Sequence, residues 1–109
     1  MPYDEALAAR VRPLLVRRKG FAEKKMFGGV GYLLNGNMCV GVWKEFLIAR
    51  IGIEMYEGAL AEPHVRVFDI TGRAMKGWVM VEPAGVADDE ALTSWVRRAA
   101  NFTSSLPAK

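Results

Sequence analysis

The dipeptide Asn35-Gly36 constrains the fold of this chain more than any other feature, because it lies between two apolar segments. A two-residue type I′ turn requires positive φ at both central positions, and Asn followed by Gly tolerates that geometry best. We therefore predict a β-hairpin that turns at this pair. If the pairing continues without interruption, it sets Tyr32 opposite Cys39.

A second two-residue turn at Lys44-Glu45 extends the hairpin into a three-stranded antiparallel meander over residues 26–51. Because side chains alternate between the two sides of a strand, this register assigns each residue of the meander to one face. The first face is predicted to form part of the core. It contains Leu33, Met38, Val40, Val42, Leu47, Ala49 and Ile51.

The second face of the meander is predicted to be too apolar to contact water alone. It contains Val30, Tyr32, Leu34, Cys39, Trp43, Phe46, Ile48 and Arg50. Three kinds of partner could cover this face: another protein, a segment of the same chain, or single-stranded nucleic acid whose bases stack on the aromatic rings. We favour a protein partner, and expect the chain to form a homodimer. The residues expected to form this interaction face are Tyr32, Trp43, Phe46, Ile48 and Arg50.

Helices are predicted before and after the meander along the chain. Apolar residues recur at three- and four-residue steps over residues 3–19 and 53–62, and again after Asp88, which is a favourable N-cap residue. In the second of these helices, Ile53 is expected on the inward side. These three segments are therefore predicted to cover the core.

Two further strands are predicted over residues 65–70 and 78–82, where apolar and polar residues alternate. The complete order is α-β-β-β-α-β-β-α. This order indicates an α+β fold, in which an antiparallel sheet of about five strands has its helices on one side.

The composition indicates one globular domain that spans residues 1–109. No apolar run reaches the roughly 18 residues of a transmembrane helix, and the acidic N-terminal segment does not resemble a signal peptide. A single cysteine fits a reducing compartment, so we expect a cytoplasmic protein. The net charge of +3 is smaller than a dedicated nucleic-acid-binding domain carries, although basic residues are concentrated between Arg10 and Lys25.

Candidate catalytic residues are few, since Cys39 and His64 are the only cysteine and histidine. Arg50 beside Cys39 could lower the pKa of the thiol and make it reactive, whereas a cysteine in a strand more often packs as a small apolar residue. One Cys and one His cannot supply the ligands of a conventional zinc site. We expect no catalytic residues, metal or cofactor, with a small enzyme that depends on Cys39 as the alternative.

Four short segments occur in order along the chain: Lys24-Lys25-Met26-Phe27-Gly28-Gly29, Asn35-Gly36-Asn37-Met38, Phe68-Asp69 and Met75-Lys76-Gly77-Trp78-Val79. In combination, this series resembles the N-terminal domain family of the TfoX/Sxy competence regulators. The resemblance extends from Tyr3 to about Leu106. The residues that match the family motif, as structural positions, are Met26, Phe27, Gly28, Gly29, Asn35, Gly36 and Trp78.

The resemblance implies a secretion-chaperone-like α/β sandwich and a role in gene regulation. Full-length relatives promote the expression of DNA-uptake genes together with the cyclic-AMP receptor protein, and they carry a second, helical domain that we do not expect in residues 1–109. The family motif implies no catalytic residues. We therefore predict a non-catalytic protein-interaction domain that assists gene regulation. The alternative is a nucleic-acid-binding domain that uses a basic and aromatic sheet face.

Overall fold

The computed structural model describes residues 3–26, 28–69 and 72–108. The helices and strands in these ranges are, in chain order, α1 Glu5–Leu15, β1 Phe21–Met26, β2 Gly29–Leu34, β3 Asn37–Trp43, β4 Phe46–Arg50, α2 Ile53–Leu60, β5 Val65–Val67, β6 Trp78–Val81, a 3-10 turn Pro83–Gly85 and α3 Asp89–Ser104. Phe27 of the family motif and Ile70 of the predicted fourth strand lie outside the described residues.

The six strands form one antiparallel sheet with the order β1-β2-β3-β4-β6-β5. One large apolar cluster joins residues of all three helices to the sheet. The predicted α+β fold with helices on one side is therefore confirmed. The sheet has six strands instead of about five, because β1 precedes the predicted meander.

Strand β1 forms one edge of the sheet and has the sequence Phe-Ala-Glu-Lys-Lys-Met. Its four central residues are exposed. Charged side chains on an edge strand oppose pairing with further chains. The same charges remove the apolar alternation that identifies a strand in a sequence, so the pattern does not predict β1.

The hairpin between β2 and β3 turns at Asn35-Gly36, as predicted, with φ of 54° and 83° at these two residues. The first two residue pairs also follow the prediction. The register then shifts by one residue, so that Tyr32 pairs with Val40 instead of Cys39. Such a β-bulge places one extra residue in one strand and moves the residues beyond it to the opposite face.

The predicted position of Tyr32 on the interaction face is therefore wrong. Its side chain is 1% exposed, and its hydroxyl donates a hydrogen bond of 3.2 Å to the carbonyl oxygen of Ala8 in α1. Its ring stacks on Phe21 at a centroid distance of 6.1 Å. Three other residues predicted for that face are buried in the core beneath the helices: Val30, Leu34 and Cys39.

The second predicted turn, at Lys44-Glu45, is confirmed by the pairing of Trp43 with Phe46. No register shift separates β3 from β4, so the predicted faces hold for the paired residues 40–43 and 46–49. The core side consists of Val40, Val42, Leu47 and Ala49, each no more than 1% exposed.

Helices α2 and α3 begin where the sequence indicates, whereas α1 begins two residues later and ends four residues earlier than the predicted range of 3–19. At the start of α1, the Asp4 carboxylate accepts hydrogen bonds from the backbone N–H groups of Ala6 and Leu7 at 3.0 and 3.1 Å. Helix α2 is buried through Tyr56 and Ala59. Its first turn remains in solvent, so the inward orientation predicted for Ile53 is wrong.

Candidate interaction face

The side of the sheet opposite the helices is apolar, and we call it the outer face. Its main residues are Met38, Trp43, Phe46, Ile48, Arg50, Trp78 and Met80. Trp43, Phe46 and Arg50 were predicted there and are half-buried. Met38 was predicted for the core and lies on this face instead, because the extra residue Cys39 at the bulge places Met38 and Val40 on opposite faces of the sheet.

A loop of the same chain covers part of the outer face. Phe68 packs against Trp78 at a ring-centroid distance of 5.9 Å and forms a small buried cluster with Ile48 and Met80. The loop is closed by a backbone hydrogen bond of 3.0 Å from the N–H of Met75 to the Phe68 carbonyl oxygen. Ile48 is only 2% exposed as a result. Its side chain packs beneath the loop and is not available to a partner.

Beside this loop, the outer face opens into a groove of about 240 Å³. The groove is lined by three methionines, Met26, Met38 and Met75, and by the two tryptophans Trp43 and Trp78. Methionine side chains are flexible and polarizable, which lets a Met-rich surface adapt to apolar groups of different shape. The groove is therefore suited to hold an apolar side chain.

Two paired glycines, Gly31 and Gly41, lie beneath the methionines, and Gly41 lines the groove. A Cβ at Gly41 would lie 2.8 Å from Met38 Cε and 3.0 Å from the Val30 carbonyl oxygen, and a Cβ at Gly31 would lie 3.1 Å from Met26 Cε. The bulge brings these two glycines opposite each other. Because neither has a side chain, the methionines can lie against the backbone and leave the groove open.

Three cations surround the aromatic rings of the outer face. Lys44 Nζ lies 4.7 Å from the ring centre of Trp43. The guanidinium carbon of Arg50 lies 5.1 Å from the ring centre of Trp78, and that of Arg66 lies 5.5 Å from Phe46. Cation–π contacts of this kind hold a positive charge beside an apolar surface.

The charges of these cations are not equally compensated. Arg66 has the Glu82 carboxylate at 3.9 Å. Within the described residues, neither Lys44 nor Arg50 has a carboxylate within 4.0 Å. The rim of the groove therefore combines aromatic rings with positive charge.

The fold and the motif positions bear comparison with known proteins. The model of the TfoX N-terminal domain family matches residues 14–103, which is most of the chain. The chain belongs to the TfoX N-terminal domain family. No curated protein and no solved structure matches it.

In this TfoX N-terminal domain, the described motif residues lie in two places. Asn35 and Gly36 form the turn between β2 and β3, and Gly29 begins β2. Met26 and Trp78 line the groove. The motif thus combines residues that shape the central hairpin with residues that border the candidate site.

The sequence pattern did not single out three residues of this site: Met38, Met75 and Arg66. The register error explains Met38. Arg66 belongs to β5, and Met75 to the segment between β5 and β6. Both segments pack on strands that are distant in sequence, so the local pattern does not place these residues on the outer face. The only local signal was the motif segment that contains Met75 and Trp78.

The two candidate catalytic residues of the domain lie in different environments. Cys39 is fully buried, and burial raises the pKa of its thiol to about 11 against a weaker opposing effect of the Thr103 hydrogen bond. His64 is exposed, and its Nδ1 lies 3.7 Å from the Glu82 carboxylate. Neither residue lines the groove.

Cys39 is expected to resist thiol reagents in the folded domain. The thiolate is the reactive species, and a pKa of about 11 leaves very little thiolate at neutral pH. Absorbance after addition of a disulfide reagent should rise slowly in buffer and rapidly in concentrated urea, with free glutathione as the rate standard. Rapid labelling of the native domain would instead support the alternative of a Cys39-dependent enzyme.

Over residues 3–26, 28–69 and 72–108, no group of three His, Cys, Asp or Glu side chains is placed to hold a metal ion. In the same part of the chain, no helix has the length and apolar character needed to cross a membrane.

Proposed function

We propose that this TfoX N-terminal domain is a non-catalytic protein-interaction module that assists gene regulation in the cytoplasm. Family membership supports the regulatory part. A single buried thiol fits a reducing compartment. The interaction part is supported by the outer face, where we propose that a second copy of the chain docks.

The observation that carries the proposal is the open apolar groove on the outer face. Covering apolar surface contributes about 25 cal/mol for each Å² removed from water, so a partner that fills the groove gains stability. Trp43 and Phe46 are half-buried beside each other, with a ring-centroid distance of 6.3 Å. Aromatic residues, Met and Arg are the types enriched at the centre of protein interfaces.

The volume of the groove favours a protein side chain over a small-molecule ligand. A cavity of about 150 Å³ holds one benzene molecule, whereas pockets for small-molecule ligands begin at about 300 Å³. At about 240 Å³, the groove accommodates one or two large apolar side chains. We therefore propose an anchoring site for a protein partner.

Trp43→Asp is expected to separate a dimer into monomers. The aspartate would be desolvated in the interface, and loss of a hot-spot tryptophan costs about 2 kcal/mol or more, which raises the dimer dissociation constant about thirtyfold or more. Because Trp43 is only half-buried in one chain, the monomer should keep its fold. Sedimentation equilibrium gives the mass, and circular dichroism checks the fold.

Leu14→Asp is the matched control, since Leu14 is 36% exposed on α1 and the change adds the same charge away from the outer face. This control should remain dimeric. Ile48→Lys is unsuitable, because Ile48 is 2% exposed and a buried unpaired charge would unfold the domain. A wild-type domain that stays monomeric at its highest soluble concentration would contradict self-association.

The nucleic-acid alternative has less support. Bases stack on free ring faces, whereas the rings of Trp43, Phe46 and Trp78 each have a cation of the same chain beside them. Phosphate binding would make affinity fall steeply with salt. A titration with single- and double-stranded DNA at low salt tests this alternative, and binding that Trp43→Asp abolishes would favour it over a protein partner.

A further inference from the structure

We propose that the groove on the outer face is occupied by helix α2 of a second copy of this chain. The inference rests on the proposed function, because it takes the outer face as the docking surface. The chemistry of α2 and the charge around the groove support it.

Helix α2 exposes apolar side chains between acidic ones. Ile53 is 72% exposed and Met55 is 57% exposed, the two highest values for large apolar side chains in the described part of the chain. The helix contains the glutamates Glu54 and Glu57 and no basic residue. A Cβ at Gly58 would meet nothing within 4 Å, so another chain can approach the helix backbone closely at this position.

The rim of the groove has the opposite charge. Lys44 and Arg50 lie over the rings of Trp43 and Trp78 at 4.7 and 5.1 Å, and within the described residues neither has a carboxylate within 4.0 Å. Complementary potentials of this kind select the partner and fix its orientation. An acidic helix supplies the absent counter-charges while its apolar side chains enter the groove.

The sizes of the two surfaces also agree. One isoleucine or methionine side chain is smaller than the groove of about 240 Å³, so Ile53 or Met55 fits without displacing the loop that carries Phe68. The methionines of the groove can adjust to either shape. Filling the groove removes the apolar surface of both copies from water at once.

The start of α2 is tied to the segment that precedes Trp78, since the backbone N–H groups of Ile51 and Gly52 donate to the carbonyl oxygen of Gly77 at 2.9 and 3.1 Å. The exposed side chains of this first turn line a separate cleft beside α3, together with Arg98 and Phe102. In the proposed dimer, a two-fold axis brings each helix to the other copy's groove. A contact made twice in this way closes a dimer instead of propagating into a filament.

Two double charge reversals test the contact. One reverses the rim, Lys44→Glu with Arg50→Glu, and the other reverses the helix, Glu54→Lys with Glu57→Lys. Each places like charges together, and each alone is expected to raise the dimer dissociation constant at least about tenfold. Sedimentation equilibrium measures the constant, and circular dichroism confirms that both variants fold.

Mixing the two variants provides the decisive measurement. In a mixed dimer, the acidic groove of one chain meets the basic helix of the other, and the basic groove meets the acidic helix. We therefore expect an equimolar mixture to regain a dimer at concentrations where each variant alone is monomeric. One variant carries a mass tag, so that native mass spectrometry identifies the mixed species.

Arg17→Glu with Lys19→Glu is the control, because it reverses two exposed charges that follow α1 and should leave the dimer intact. If Trp43→Asp dissociates the dimer while both charge reversals leave it unchanged, the role of α2 is overturned and the interaction face stands. If Trp43→Asp also leaves the dimer unchanged, the proposed function fails with it. A mass that grows beyond the dimer overturns the two-fold arrangement.

Discussion

Tyr32→Ala is expected to destabilise the fold by about 3–5 kcal/mol, the range found when a large buried aromatic side chain is removed. The substitution leaves a cavity between β2 and α1, where Tyr32 is 1% exposed. It also removes the hydrogen bond to Ala8 and the ring contact with Phe21. Urea denaturation monitored by circular dichroism measures the loss.

Tyr32→Phe is the matched control for this substitution. It keeps the ring and removes only the hydroxyl, so the expected loss is about 1 kcal/mol. Neither variant should change the dimer dissociation constant of the molecules that remain folded, because Tyr32 is on the helix side of the sheet. A Tyr32→Ala variant that is as stable as the wild type but monomeric would contradict the bulged register.

The position of Tyr32 also shows why hydrophobic alternation alone did not predict the register between β2 and β3. In most half-buried strands, only one register places the apolar residues inside. In β2 and β3, the residues on both faces are apolar. The hydrophobic pattern therefore does not distinguish the predicted register from one that is shifted by one residue. The bulge at Cys39 follows from no local sequence feature.

Features that depend on neighbouring residues were predictable. The turn at Asn35-Gly36 follows from backbone preference, and both residues have positive φ in the structure. The turn at Lys44-Glu45 follows from its place between two apolar segments, although positive φ is uncommon for a residue such as Lys44. The start of α3 follows from Asp88, which precedes it. The loop that brings Phe68 over the outer face could not be predicted, since its position depends on contacts with strands far away in sequence.

The same bulge that moves Tyr32 inward also creates the candidate site. An uninterrupted register would set Gly31 and Gly41 each opposite a valine. The shift pairs Gly31 with Gly41 instead, so that no side chain fills the space beneath Met26 and Met38. The interaction face is therefore still present in the corrected register, but its residues differ from the predicted ones. Tyr32 is no longer part of it, and it contains a groove that the sequence pattern did not indicate.

Gly52→Ala is expected to destabilise the domain by roughly 2–6 kcal/mol. Gly52 precedes α2 with φ of 89° and ψ of 158°, a backbone region that is accessible almost only to glycine and costs another residue about 1–3 kcal/mol. An added Cβ would also lie 2.6 Å from the ring of Phe102 in α3, and such overpacking costs about 1–3 kcal/mol. The ring must turn away, which removes its contact with Arg50 at 5.7 Å.

Gly58→Ala is the control for this substitution, because Gly58 lies inside α2 and an added Cβ there meets nothing within 4 Å. Alanine in a helix interior is favoured over glycine by about 1 kcal/mol, so this variant should be more stable than the wild type. Both are compared by urea denaturation at a concentration where the wild type is monomeric. Since Gly52 directly precedes α2, a shift of its backbone moves Ile53 and Met55, and we expect Gly52→Ala to weaken the dimer as well. Equal stability of the two variants would show that α2 and α3 do not pack through Gly52.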